Sequence, residues 1–128
     1  MSHFSQIKTK LRDLSGLQSA LTDVGADWKA GPSPVRGYQG QTVEAELVIE
    51  QSNGYDLGFR WTGQDYELVA DLQYWNQPFS VEGFLNRVNQ RYAYHTVKTE
   101  TARSGFQVTE EQRQADGSIR LVLSRWSA

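Results

Sequence analysis

The residue types that most often carry chemistry are sparse in this chain. Its 128 residues include two histidines and no cysteine, which removes disulfides, thiolate metal sites and a thiol nucleophile. His3 and His95 have no second ligand at metal-binding spacing in their neighbourhoods, so neither a metal nor any other cofactor is expected. Asp71 stands near a strand end beside Tyr74 and would serve as a general base if a pocket raised its pKa; the plainer reading is an ion pair with a cation of the sheet. The segment Arg36-Gly37-Tyr38-Gln39-Gly40 lacks the Lys-Ser/Thr ending of a phosphate loop, and its flanking strand and helix are missing. Lys8, Lys10 and Arg12 alternate as a cationic stripe would on a sheet that binds single-stranded nucleic acid. Glutamates expected on the same face and a net charge of −2 oppose that reading.

With no catalytic constellation in view, the remaining candidates are surfaces and a pocket. Tyr74, Trp75 and Phe79 surround Pro78, and large amphipathic rings on such a bend make good interface anchors. Trp75 reads equally well as a plug closing the end of the core beneath the second helix. Tyr94 and Val97 project from the side of that helix that should be wet, which suggests a partner surface. The alternative is a small-molecule site, or a small enzyme, with a pocket between segment 31–41 and the sheet. It would use Arg36, Tyr38, Asp71 and His95.

The elements that position these residues follow from periodicity. Val43, Ala45, Leu47 and Ile49 alternate with glutamates; Tyr55, Leu57, Phe59 and Trp61 alternate in the same way, as do Tyr66, Leu68, Ala70 and Leu72. Each run predicts a half-buried antiparallel strand, with Asn53-Gly54 as a two-residue hairpin and Thr62 to Asp65 as a second turn. Residues 3–12 read as a strand or as an early helix, and the strand is preferred. Asp13 then caps a helix from Leu14 to Val24 that Gly25 stops. Ala26 to Ala30 is a short strand, followed by a Gly/Pro-rich loop over 31–41. Ser80 caps the second helix, with Phe79 and Phe84 as a staple. Leu85, Val88, Tyr92 and Thr96 form its buried stripe, with Val81 and Ala102 near the ends. Gly105 closes it, and strands from Phe106 to Gln112 and from Ile119 to Trp126 meet at Asp116-Gly117.

The resulting expectation is a single α+β domain over residues 1–128. One mainly antiparallel sheet carries both helices on one face, with ferredoxin-like character and a loose strand-helix-strand-strand pseudo-repeat. Apolar content of 38% fits an ordinary globular chain. No apolar run is long enough to span a bilayer and no signal segment is visible, so the chain is expected to stay where it is made.

Several segments together resemble the hypothetical chloroplast reading frame thirty-five family. They are the opening Met1 to Lys10, Asp27-Trp28-Lys29-Ala30-Gly31-Pro32, Val35-Arg36-Gly37-Tyr38, Asn53-Gly54-Tyr55-Asp56, Tyr66 to Trp75, Gln90 to His95 and Arg125-Trp126-Ser127-Ala128. The resemblance spans essentially the whole chain and is most specific at Asp71 to Trp75 and Arg91 to His95. It implies a protein of the cyanobacterial cytoplasm or plastid stroma. The implied role is accessory, in building or maintaining the photosynthetic apparatus, with a photosystem, photosystem I first, or its assembly machinery as partner. Any membrane contact would come through that partner. The family brings no catalytic residues.

Overall fold

The computed structural model describes residues 3–125. The order is β1 (Ser5–Lys8), α1 (Leu14–Asp23), β2 (Trp28–Arg36), β3 (Thr42–Ile49), β4 (Leu57–Trp61), β5 (Tyr66–Ala70), α2 (Val81–Arg103), β6 (Phe106–Arg113) and β7 (Ile119–Arg125). The class is α+β, as the alternation implies. Five strands form one antiparallel sheet in the order β1-β5-β4-β3-β2, while β6 and β7 pair only with each other in a separate two-stranded sheet. The expected strand-helix-strand-strand order therefore occurs twice along the chain, but β2 and β3 extend the main sheet whereas β6 and β7 leave it.

α1 and the first half of α2 cover one face of the large sheet. Leu17, Ala20 and Leu21 of α1 and Phe84 and Val88 of α2 meet Leu47, Ile49, Leu57, Phe59, Leu68 and Ala70 from the strands. Each large side chain removed from water here contributes on the order of 1.5–3 kcal/mol. The helix ends are capped as their sequences predict: Asp13 Oδ2 accepts from the Gly16 N–H at 2.7 Å, and Ser80 Oγ from the Gly83 N–H at 3.0 Å. Tyr92 of α2 ties the helices together, its hydroxyl accepting from the Arg12 and Asp13 amides at 3.2 and 3.0 Å.

The opposite face is not the wet surface that alternation implies. Val35, Ala45 and Val48 form a second buried cluster against which Phe4 packs, and every residue of β5 is buried. Glu67 is accommodated there because Arg60 donates to its Oε1 from Nε at 3.0 Å and from Nη2 at 2.6 Å. Gly58 is a requirement of this face: a Cβ at that position would lie 2.5 Å from Val35 Cγ2 and 2.9 Å from Ala45 Cβ.

Four further expectations change. The strand predicted over 3–12 is confined to Ser5–Lys8, so Lys10 and Arg12 stand beyond it and the cationic stripe has no sheet to run along. The Gly/Pro-rich loop over 31–41 is largely strand, because β2 continues to Arg36 with a register shift between Ala30 and Ser33 around a cis Gly31-Pro32 bond. It occupies the sheet edge, where Pro32 and Pro34, lacking N–H groups, are tolerated. Asn53-Gly54 is not a two-residue hairpin, since the last pair is Ile49 with Leu57; the glycine instead sits at φ +82° in a wider connection whose N–H reaches the Gln51 carbonyl at 3.1 Å. The buried stripe of α2 breaks midway: Phe84 and Val88 face the large sheet, Tyr94 faces the hairpin, Thr101 is buried further along, and Thr96 and Ala102 are exposed. Trp126, the expected end of β7, lies outside the described residues.

Candidate functional sites

At one end of the sheet Asp56 precedes and Asp71 follows the Leu57–Ala70 pair, so the two carboxylates close the same end of the ladder. Arg36 locks the first. Its Nε and Nη2 each donate to Asp56 at 2.8 Å, its own backbone N–H adds a third bond at 2.8 Å, and the Asp56 N–H returns one to the Arg36 carbonyl. This two-pronged pairing raises the Arg36 guanidinium further above its ordinary range, with a smaller push from Glu50. Asp71 is treated differently: Oδ1 accepts from the Gln73 N–H at 3.1 Å, while buried Oδ2 has no hydrogen-bond partner among the described residues.

Beside these carboxylates is a group of stacked phenol rings. Tyr74 lies parallel to Tyr55 at 3.9 Å and to Tyr38 at 6.2 Å between centroids. Burial, then Tyr74, Tyr38 and the charge of Asp71, raise the Tyr55 phenol above its usual 10.0, so it remains protonated at neutral pH. Gln51 fixes the bend, donating to the carbonyls of Tyr55 and Tyr74 at 2.7 and 3.2 Å and accepting from the Asn76 N–H at 2.8 Å. The structure thus brings Arg36, Tyr38, Asp71 and Tyr74 into one neighbourhood, and adds Asp56 and Tyr55. Alternation reads Tyr55 and Asp56 only as the inner and outer residues of a strand, and so does not report these partners.

His95 takes no part. Its Nε2 lies 2.6 Å from Asp23 Oδ2, which also accepts from Arg91 Nε at 2.8 Å, bridging α1 to α2. Burial raises the Asp23 carboxyl, but the bonds from Arg91 and His95 outweigh it and leave the group below its usual 3.8. Among the described residues, no group of three or more His, Cys, Asp or Glu side chains is placed to hold a metal ion.

The aromatic bend divides. Trp75 and Phe79 pack against the core beneath α2; Trp75 meets Phe84 edge-on at 5.5 Å and donates from its indole to the Phe79 carbonyl at 2.8 Å. Trp75 therefore has the plug geometry, and only Tyr74 joins the phenol group. On α2, Tyr94 is covered by the β6–β7 hairpin, its hydroxyl bonded to Glu111 and its ring carrying Arg91 at 4.2 Å. Val97 remains 41% exposed. Tyr94 and Val97, with Ile119 and Leu121 opposite, line an apolar groove of about 230 Å³.

Comparison with known proteins shows which family the chain resembles. The family model described as "Protein of unknown function (DUF1257)" matches residues 20–122. The protein named "Uncharacterized protein ycf35" from Guillardia theta is 48% identical over 98% of both chains. Its namesakes from Cyanophora paradoxa and Pyropia yezoensis are each 41% identical, over 98% and 99% of both chains. The chain belongs to the ycf35 family. That is the hypothetical chloroplast reading frame family the sequence segments resemble. No solved structure matches this ycf35 family chain.

Proposed function

We propose that the chain is a non-catalytic accessory factor for assembly or maintenance of the photosynthetic apparatus, acting by protein–protein contact with photosystem I as its client. The observation that carries the contact is the seam between α2 and the β6–β7 hairpin. There Val97, 41% exposed, lines the groove with Tyr94, Ile119 and Leu121, and Leu123, two residues beyond Leu121 on β7, is 43% exposed. A partner that covered such side chains would bury only the remaining two-fifths of each, a gain of about 0.6–1.3 kcal/mol apiece. The chloroplast reading frame after which the family is named supports the photosynthetic setting, in the plastid stroma or the cyanobacterial cytoplasm. Among the described residues no helix is long and apolar enough to cross a membrane, which fits membrane contact made through the client. Tagged wild type incubated with a photosynthetic extract should retain photosystem I subunits, and Val97→Glu, a change at an exposed position, should release them. Equal recovery by both, or no photosystem polypeptide with the wild type, would overturn the proposal.

A second reading, a small-ligand site using Arg36, Tyr38 and Asp71, draws on the unpartnered Oδ2 of Asp71. An acceptor in that state suits a small amine or amide. Thermal-shift screening against such compounds should stabilise the wild type and not Asp71→Asn; matching profiles would dismiss it.

A further inference from the structure

A cavity of about 510 Å³ opens where the end of α1, the middle of α2 and the turn between β6 and β7 meet. Its wall contains three arginines, Arg87, Arg91 and Arg113, against the one carboxylate of Asp23. Arg91 is engaged by that carboxylate at 2.8 Å. Arg87 and Arg113 make no ion pair among the described residues. The Arg87 guanidinium lies 4.1 Å from the centroid of the Phe79 ring, a cation–π contact that uses none of its N–H donors in a conventional hydrogen bond. The amides of Gln90 and Gln114 add neutral donors to the wall, and Val24 and Ile119 give it an apolar side.

Both guanidinium groups line one recess and neither is paired with a carboxylate among the described residues, so an anion entering it meets two available cations. Planar forks match the tetrahedral oxygens of phosphate, and the volume falls within the roughly 300–1,000 Å³ usual for small-molecule sites. We propose that this cavity binds a small phosphorylated ligand, a phosphomonoester whose dianion is held by Arg87 and Arg113 and whose uncharged part rests against Val24 and Ile119. Ile119 and Gln90 line both this cavity and the groove at Val97, so the two sites are neighbours, and they are told apart by residues that belong to one alone: Val97 for the photosystem contact, Arg87 and Arg113 for the ligand.

Calorimetric titration of the full chain with adenosine monophosphate, adenosine and inorganic phosphate tests it. Adenosine monophosphate should bind saturably, at least about tenfold more tightly than adenosine, and inorganic phosphate should compete with it. Arg113→Gln, at an exposed position, should weaken binding by about tenfold or more. Arg87→Lys, which keeps the charge and loses the fork, should also weaken it. Lys8→Gln, the same loss of charge on β1, should leave it unchanged. If Arg113→Gln disturbs the fold, as read by circular dichroism, Arg87→Lys decides. Absent or equal binding of the two nucleosidic probes, no competition by phosphate, or equal weakening by Lys8→Gln would overturn the proposal.

Discussion

At the scale of single residues, the Arg36–Asp56 pair carries a clear expectation. The Asp56 side chain is 1% exposed and accepts three bonds from Arg36, so Asp56→Ala should destabilise the protein by about 2 kcal/mol in urea unfolding, discounted because the freed arginine can reach water. Asp23 gives a pH signature. Its native carboxyl is held below the usual 3.8, so the unfolded chain takes up a proton first. The stabilisation is complete above that value and is lost as the pH falls through the lower native one. Asp23→Asn should therefore lower the melting temperature at about pH 6, and the gap to wild type should close towards about pH 2. Arg36, Tyr38 and Asp71 were legible in the sequence as neighbours, because each stands at a strand end or a bend; His95, grouped with them there, pairs with Asp23 instead, and Tyr74, assigned to the aromatic bend, joins them. Asp56, Arg87 and Arg113 were not legible: their roles depend on which charges meet across elements, and no local spacing reports that.

At the scale of elements, β3, β4, β5 and the capped start of α2 could be read from period and capping chemistry alone, whereas the end of β1 and most of β2 could not. The second face could not be read either. Alternation marks a residue as facing away from the helices but not whether something else covers it, and Phe4 and the curl of β2 do so here. Gly58 tests this packing. Gly58→Ala should cost on the order of 1–3 kcal/mol, measured as a lower urea midpoint, because Val35 and Ala45 already fill the space. The mixed faces of α2 have a related cause: Tyr94 sits on a side that is wet for a helix serving one sheet, and dry for a helix that serves two.

At the scale of the molecule, the helix–sheet core draws no side chain from β6 or β7. A chain ending at Gly105 should therefore still unfold in one cooperative transition, with Tyr94 newly accessible; loss of cooperativity would show that the hairpin is integral to the core. One last consequence comes from the margin formed by β2. Pro32 and Pro34 remove two of the donors by which an incoming strand would be recruited. That margin is a poor template for fibril growth, so even a crowded solution of this protein is protected there against polymerising edge to edge.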